Sequence, residues 1–463
     1  MNPDQRQQVV ENAKYLRNVR PVDPDEIYEY VEGQPHPATV KRVLREEAFE
    51  LGLAERPDGT FEPVADGPLE PTCAGVEAFP EQYARRLEDL LVERFGADWH
   101  RGDSGDRLRE EIRRLKEDYY HGNPVEYDET TALAYAIYHL PDNYAVIQYV
   151  LDELGRQGLL PGKLRVLDVG AGVGGPTLGL HDYVGEDALV EYHAVEPSAA
   201  ADVLEAMLAG TGRNFHASVY RETAEAFDPD GEYDLLLFAN VLSELEDPES
   251  VVDRYREYLA HDGALVGVAP ADLETSTGLR SVERSFDDEF AVFSPTLRLW
   301  PAESPADRGW SLVVRRDLAV PPFQRKLDDG DGEFVNVDVQ YSHFLLRPDG
   351  RRRLDVRADP DRHAKMAEMD DHVTERVDLL AVKLSHDLAE GEGNPVFKVS
   401  DGSERTGQFA VLAKLTALNR TLGTADYGDV VVFENVLVLW NDDEEAYNLV
   451  VDDETVVDEV PAP

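Results

Sequence analysis

The chain has 463 residues, of which 94 are Asp or Glu and 45 are Lys or Arg, so its formal net charge is -49. The length predicts two to four domains, and a hydrophobic content of 42% is enough for sizeable cores. No apolar run approaches the roughly 18 residues of a membrane span, and the first residues are too polar for an export signal. We therefore expect a cytoplasmic protein with no membrane partner.

The acidity is best explained by the environment of the protein. A well-patterned globular chain with many carboxylates and few lysines is typical of a high-salt, halophilic cytoplasm, where salt suppresses repulsion between the carboxylates. Overall charge therefore neither indicates a basic partner nor excludes RNA binding. The single cysteine, Cys73, excludes a disulfide within the chain and a zinc–thiolate site, and we predict no metal.

Residues 1–66 are predicted to form helices followed by a hairpin that turns at Asp58-Gly59. This order is typical of a small winged-helix module, and it equally fits a helical lid on the next domain. Three acids, Glu46, Glu47 and Glu50, lie where a recognition helix would contact DNA, which argues against that contact.

Residues 77–155 are predicted to be a helical preface to the next domain. The last two helices are expected to be separate, because Pro141 falls between them. Aromatic and polar residues around His139 precede the next strand. They could form a wall over a cofactor or substrate, and the alternative for most of the tyrosines is core packing. The predicted helices span residues 81–94, 104–120, 131–140 and 143–154.

Residues 156–346 alternate between strands and helices, which predicts an α/β fold with a doubly wound parallel sheet. A later strand over residues 335–346 is expected to close this sheet in an antiparallel pair. The predicted strands span residues 164–169, 190–195, 214–219, 233–239 and 263–269, and the predicted helices span 175–184, 198–209 and 248–260.

A glycine-rich turn follows the first strand of this sheet. Its glycines fit both the dinucleotide-binding pattern, which uses Gly175, and the shorter pattern of S-adenosylmethionine (SAM) enzymes, which uses Gly174. An acid inside the strand end, Asp168, and the helical preface favour SAM. A second acid, Glu196, ends the next strand and is suited to accept ribose hydroxyls. The predicted cofactor-binding residues are Asp168, Gly170, Ala171, Gly172, Gly174, Glu196 and Asn240.

The residues around this turn restrict the chemistry of a methyl transfer. Methylation at a pyrimidine C5 needs a thiolate, and Cys73 is badly placed for it. The Asp/Asn-Pro-Pro-Tyr motif of amino-group methylation is missing after the fourth strand. In-line transfer to a positioned acceptor remains. Its candidate contacts are His139, Asn240, Ser243 and Glu244.

Two later regions could contact nucleic acid. Residues 308–357 hold ten Arg or Lys against eight acids, with aromatic residues between them, and this strip either contacts phosphates and bases or pairs with acids of the chain. Residues 373–460 show the order of an OB barrel, with a predicted helix over residues 414–422 between the third and fourth strands. Such a barrel either binds oligonucleotides or only docks. The candidate RNA contacts are Arg315, Arg316, Arg351, Arg352, Arg353, Phe397, Lys398 and Phe409.

Residues 130–346 resemble the methyltransferase-like ribosomal small-subunit family, which includes mitochondrial small-subunit assembly proteins; this chain looks like a haloarchaeal-type member. The resemblance rests on Pro141 and Tyr144, the strand from Asp168 to Gly172, the Glu196-Pro-Ser step and the run Val241–Leu245. It implies a class I SAM-binding methyltransferase domain that acts on or accompanies small-subunit rRNA. Members often carry an iron–sulfur cluster after the fifth strand, but the corresponding stretch here has no cysteine.

The sequence thus predicts a SAM-dependent methyltransferase whose partner is the small ribosomal subunit or its rRNA. Three alternatives remain: an assembly factor that binds SAM and rRNA without turnover, a nucleic-acid-binding protein in which the barrel and the basic strip make the main contacts, and a methyltransferase of another substrate. The sequence does not define the oligomeric state or the target nucleotide.

Overall fold

The computed structural model describes residues 1–65, 67–70, 75–286, 289–300, 312–328, 330–389, 391 and 393–461. Cys73 and the first four residues of the basic strip over residues 308–357 lie outside these described residues. The chain forms two compact units, one of residues 1–235 with 318–337 and one of residues 236–317 with 338–463. No helix in the described part of the chain is long and apolar enough to cross a membrane.

The N-terminal region begins with helices and ends in a hairpin, as the sequence predicts. The first helix begins at a capping box, in which the side chains of Asn2 and Gln5 each accept from the backbone of the other. Val22 forms a short bridge to Phe61 of the hairpin. The elements are α1 (Pro3–Leu16), α2 (Pro24–Ile27), a 3-10 helix (Tyr28–Tyr30), α3 (Pro37–Glu46), α4 (Ala48–Leu51), β1 (Leu53–Glu55) and β2 (Phe61–Pro63).

The cations of helix α3 pair within the N-terminal region. Lys41 and Arg45 both reach the buried carboxylate of Glu55 in β1, at 3.0 and 2.5 Å. These pairs occupy the positive charges that a recognition helix would offer to phosphates.

Three long helices follow, α5 (Glu81–Phe95), α6 (Gly102–His121) and α7 (Glu129–Gly155). The predicted separation of the last helix at Pro141 is wrong, because α7 runs through this residue. Proline has no N–H to donate to the carbonyl of Ile137, four residues earlier. The buried side chain of Gln324 replaces that donor: its Nε2 lies 2.8 Å from the Ile137 oxygen.

Replacing Gln324 by alanine is expected to lower the free energy of unfolding by about 1–3 kcal/mol, because the Ile137 carbonyl loses a buried partner. In a Pro141→Ala background the restored N–H can satisfy that carbonyl, so the same replacement should cost less. Urea unfolding of the wild type, both single variants and the double variant measures this coupling. Strictly additive losses would contradict the compensation.

The central sheet has the order β5-β4-β3-β6-β7-β10-β8, with β9 paired to β10. Strands β3, β4 and β5 are parallel, whereas β10 is antiparallel to both β7 and β8, which confirms the predicted closing pair. Its elements are β3 (Lys163–Val169), α8 (Gly175–Val184), β4 (Leu189–Val195), α9 (Ala200–Leu208), β5 (Phe215–Tyr220), β6 (Tyr233–Ala239), a 3-10 helix (Leu242–Glu244), α10 (Pro248–Arg256), β7 (Leu259–Ala269), α11 (Leu273–Ser285), β8 (Ala291–Ser294), β9 (Val313–Arg315), α12 (Pro322–Leu327) and β10 (Val339–Arg347).

A closed barrel of five strands follows in the order β11-β12-β13-β15-β14, and β14 pairs back with β11. Strands β13 and β15 are parallel, and the added strand β16 lies on β14. The predicted fold of a doubly wound sheet followed by a β-barrel is thus confirmed. The elements are a 3-10 helix (Met366–His372), β11 (Arg376–Lys383), β12 (Val396–Ser400), β13 (Gln408–Leu412), α13 (Thr421–Thr424), β14 (Val430–Asn441), β15 (Ala446–Val451) and β16 (Val456–Glu459).

The helix predicted over residues 414–422 of the barrel is mostly wrong. Only Thr421–Thr424 is α-helical, because the side chain of Asn419 binds the backbone before it. Its Nδ2 donates to Lys414 O at 3.0 Å, and its Oδ1 accepts from Thr416 N at 2.8 Å. Such local side-chain bonds compete with the helical ones.

Candidate SAM site in the first unit

The glycine turn after β3 is built on three left-handed residues. Gly170, Gly172 and Gly174 have φ values of 76°, 54° and 93°, in the region that favours glycine. These are the glycines of the shorter, SAM-type pattern. The N–H groups of Gly170 and Ala171 both donate to the carbonyl of Val195, so the turn is fixed to the end of β4.

Two of the glycines in this stretch are needed for different reasons. A Cβ at Gly175 would lie 2.6 Å from the Cβ of Asn143, so this glycine lets α7 pack against the start of α8. A Cβ at Gly172 would meet no described atom within 4 Å. The turn therefore presents its backbone toward open space at Gly172, as the approach of a ligand requires.

Glu196 lies beside this open position, directly after β4. Its Oε2 accepts from Gly172 N and its Oε1 accepts from Ser198 N, both at 2.9 Å. The side chain is buried, and these two bonds orient the carboxylate at the glycine turn. Each oxygen keeps acceptor capacity, so the carboxylate can still receive the hydroxyls of a ribose.

Asp168 lies beneath the turn and is fully buried. Its Oδ2 accepts from the hydroxyl of Tyr192 at 2.6 Å, and the buried hydroxyl of Thr177 lies near enough to lower the pKa of the carboxyl. Oδ1 has no hydrogen bond within 3.5 Å among the residues that the structure describes. Burial raises the pKa of Asp168 to about 7. A buried acceptor without a donor suits a site that is completed by a ligand carrying N–H groups, such as the amino group of SAM.

The free energy of unfolding should depend on pH through the buried carboxyl of Asp168. Because the folded pKa of Asp168, about 7, exceeds the ordinary value of 3.8, the folded state holds its proton between these pH values and the unfolded state does not. As the pH rises from 4 to 7, the wild type should therefore lose stability while the Asp168→Asn variant does not lose this contribution. The free energy of unfolding of the wild type should fall, relative to that of the variant, by as much as about 4 kcal/mol.

Urea unfolding of both proteins at several pH values and constant salt measures this difference. The asparagine keeps an acceptor for Tyr192, and all other titrating groups cancel in the comparison. Parallel stability curves for the two proteins would show that the carboxyl titrates normally.

His139 and Asp142 form a histidine–carboxylate pair on α7. His139 lies one helical turn before Asn143. Nδ1 of His139 lies 3.2 Å from Oδ2 of Asp142, and the same Oδ2 accepts from Nδ2 of Asn336 at 2.9 Å. His139 is half-buried. A carboxylate at Nδ1 favours the tautomer that carries its proton there, which leaves Nε2 as a proton acceptor.

Aromatic rings surround this pair. The ring of Tyr135 lies 4.9 Å from that of His139, and the ring of Tyr127 lies 5.6 Å from that of Tyr135. The carbonyl of Tyr127 accepts from Ala199 N, which ties this aromatic wall to the turn after Glu196. The aromatic and polar residues around His139 thus adjoin the glycine site at two points, Asn143 beside Gly175 and Tyr127 beside Ala199. Their role as a wall over the cofactor stays a prediction.

Comparison with protein families gives three matches along the chain. A methyltransferase domain model matches residues 167–265, which include the glycine turn and Glu196. Residues 167–265 form a methyltransferase domain. SAM is the cofactor of this domain, and the fold is the Rossmann-like sheet of class I methyltransferases. Two models of a domain of unknown function (DUF8157) match residues 6–57, as its N-terminal domain, and residues 367–460, as its C-terminal domain.

Solved structures similar to the chain include several methyltransferases. One from Clostridium acetobutylicum is 11% identical, with 35% of this chain and 56% of that chain covered and a TM-score of 0.23. The CcbJ methyltransferase from Streptomyces caelestis is 23% identical, with 24% and 44% covered and a TM-score of 0.21. The plantazolicin methyltransferase BpumL, in complex with SAH, is 12% identical, with 57% and 98% covered and a TM-score of 0.29.

The chain spans about half of the length of the first two of these structures. Among curated proteins, the comparison finds no match to the chain.

Three further predicted site residues belong to the second unit. Asn240 follows β6 with a φ of 58°, and its N–H donates to the carbonyl of Val268. Ser243 and Glu244 lie on the exposed 3-10 helix after it. Their roles in cofactor binding or catalysis stay predictions.

The side chains of two predicted RNA contacts, Phe397 and Lys398, are buried in the barrel, so neither lies on an exposed face of it. Their contact with RNA stays a prediction. Arg353 pairs with Asp429 at 2.8 Å, and Arg352 donates to the carbonyl of Arg298 at 2.5 Å, so these two bind within the chain. The remaining candidates are Arg315, which lies 3.9 Å from Asp426, Arg351, which lies 3.6 Å from Asp349, the exposed Arg316 and the half-buried Phe409.

The sequence did not identify several residues that build the site. Asp142 had a usable signal, since it lies three residues after His139 on the same helical face. Tyr192 alternates inward on β4, but nothing in its strand distinguishes it from a core tyrosine. Asn336 and Gln324 have no local signal, because they reach α7 from nearly 200 residues further along the chain.

Proposed function

We propose that this chain is a SAM-dependent methyltransferase that acts on rRNA of the small ribosomal subunit. The observation that carries the catalytic part is the juxtaposition, within one unit, of the Glu196–Gly172 cradle and the His139–Asp142 pair. The Glu196–Gly172 cradle would bind the cofactor, and the His139–Asp142 pair would accept a proton.

SAM supplies a methyl group on a positively charged sulfur. Glu196 would hold the ribose, the backbone at Gly172 would lie along the ligand, and Asp168 would face a donor group. These are roles of binding and orientation, which account for much of the rate of an in-line transfer. The methyltransferase match to residues 167–265 supports this assignment.

His139 would take up the proton that an acceptor hydroxyl or amine loses when it is methylated. Asp142 fixes its tautomer and stabilises the imidazolium that forms, and Asn336 holds Asp142 in place. The rings of Tyr135 and Tyr127 would pack against a planar acceptor. Unstacked RNA bases are commonly bound against aromatic side chains in this way.

Three features support rRNA as the substrate. The C-terminal barrel has the five-stranded order predicted for an OB fold, a kind of barrel that often binds nucleic acid. The sequence resemblance to the methyltransferase-like ribosomal small-subunit family supports a ribosomal RNA as the substrate. Acidity suited to high salt explains why the chain is not basic overall.

The proposal is tested by incubating the protein with labelled SAM and small subunits from cells that lack it. We expect label in the rRNA, at a position that is unmodified in those cells and modified in the parent cells. Crosslinking in cells should recover small-subunit rRNA. Binding of SAM and of subunits without transfer would overturn the enzymatic part in favour of an assembly factor, and recovery of other RNA alone would overturn the ribosomal part.

A further inference from the structure

The barrel packs against the preceding part of its own unit through the turn that follows β12. Trp300 Nε1 donates to the carboxylate of Asp401 in that turn at 2.6 Å. A Cβ at Gly402 would lie 1.8 Å from the carbonyl oxygen of Leu297, so the two segments are in close contact. The chain itself therefore covers the barrel here, and the outer side of β13, β15 and β14 is a different surface.

That outer side is apolar across three neighbouring strands. Ala410, Val438 and Leu449 point inward and belong to the barrel core. The residues that alternate with them point outward, and the strand register places them side by side in two rows. We call these six residues the outer barrel face: Phe409, Asn448 and Leu439 in one row, and Val411, Val450 and Leu437 in the next.

The outer barrel face is accessible to a partner. Leu439 is 37% exposed, and the side chains of the other five residues are half-buried. An apolar sheet face is normally covered by a helix or by a second sheet. Contiguous apolar surface of this kind marks interaction sites, and here it lies on a chain with a net charge of -49.

The two ends of the face differ in charge. Where β15 turns into β16, Asp452 pairs with Arg376 at 2.6 Å and Asp453 pairs with Lys414 at 2.8 Å. Where β14 turns into β15, residues 442–445 are four exposed acids. None of these four forms an ion pair with a residue that the structure describes. A partner should therefore bring positive charge to this second end.

We propose that the outer barrel face binds an amphipathic helix of a partner protein, whose basic C-terminal turn lies beside residues 442–445. Three strands spaced about 4.8 Å apart span about 10 Å, which matches the diameter of about 10–12 Å of a helix with its side chains. Lysines in the last turn are favoured by the dipole of the helix itself and would meet the exposed acids. The proposal does not depend on the proposed methyl transfer.

The charges favour such a helix over two other occupants. RNA would bring its phosphates to the four acids, and the outer barrel face itself contains no cation. A second copy of this chain would present a face with the same acidic turn, so it would bring no positive charge from that face.

The probe is a synthetic helical peptide of about 15 residues, a length at which isolated helices begin to form. Its leucines recur at positions i, i+3, i+4 and i+7, and its lysines occupy the last turn. A peptide of the same composition, with the leucines spread around the helix, is the control ligand. In calorimetric titrations of the full chain at constant salt, we expect the first peptide to bind at least tenfold more tightly.

Changes within the face should weaken the first peptide. Leu439→Glu and Val450→Glu are each expected to lower its affinity at least tenfold, because each places a charge in the apolar contact. Leu273→Glu is the matched control, since Leu273 is an exposed leucine on α11 of the same unit. This variant should bind the peptide as the wild type does.

The acidic turn is tested separately. Asp443→Asn combined with Glu444→Gln should weaken the first peptide about fivefold, as expected for the loss of two exposed ion pairs. Asp103→Asn combined with Glu110→Gln removes two exposed acids of α6 and should leave the affinity unchanged.

Circular dichroism and SAM binding of the same variants verify that they are folded. Equal affinity for the two peptides, or full affinity in Leu439→Glu, would overturn the proposal without touching the SAM site. Sedimentation of the wild type as a dimer that Leu439→Glu abolishes would overturn it in favour of a second copy. Displacement of the peptide by single-stranded oligouridylate would overturn it in favour of RNA.

Discussion

Replacing Glu196 by alanine is expected to weaken SAM binding about 100-fold. The carboxylate would accept two ribose hydroxyls, and hydrogen bonds to a charged group contribute about 1.5 kcal/mol each. The replacement also removes the acceptors of Gly172 N and Ser198 N, so the glycine turn keeps only its backbone bonds to the Val195 carbonyl at the end of β4. Glu196→Gln keeps one acceptor and should lose about tenfold.

Calorimetric titration with SAM and with its product, S-adenosylhomocysteine, measures both effects. Glu205→Gln is a suitable control, because this acid lies on α9 in the same unit and is exposed. Its affinity for SAM should equal that of the wild type. If Glu196→Ala bound SAM within twofold of the wild type, the ribose would have to be held by another residue.

Replacing His139 by alanine should slow methyl transfer by about 100-fold or more while SAM affinity stays within twofold. Removing a proton acceptor costs about 10²–10⁴-fold in rate, and it leaves the cofactor cradle intact. Asp142→Asn should have a smaller effect on rate, because it alters the tautomer of His139 without removing the ring. The pH dependence of the rate should change in both variants.

Single-turnover transfer from labelled SAM measures these rates. His261→Gln provides the matched control, since His261 is an exposed histidine at the start of β7. An unchanged rate and pH profile in His139→Ala would show that the proton leaves by another route. That result would leave the cofactor assignment untouched.

The sheet could be predicted well from the sequence, since buried strands and glycine turns are local signals. Four of the five predicted parallel strands match the structure within one residue at each end, and only β7 begins earlier than expected. The glycine turn and Glu196 were predicted for the same reason. Both lie within about 30 consecutive residues of the sequence.

Other features could not be predicted because their causes lie far away in the chain. A proline in a helix normally breaks it, and only the distant Gln324 makes Pro141 tolerable. Lys398 was expected at the surface of a barrel strand, where side chains alternate between faces. In β12 consecutive residues are buried, so that alternation does not apply.

The bond between Gln324 and the carbonyl of Ile137 also constrains the order in which parts of the protein can fold during synthesis. The two residues are 187 positions apart, and the segment 318–337 belongs to the first unit although more than 80 residues of the second unit precede it. During synthesis the histidine–carboxylate pair on α7 lacks Asn336 until that segment has emerged. The first unit therefore completes its fold late, and a fragment ending at residue 235 would be a poor substitute for the full chain in any assay of the site.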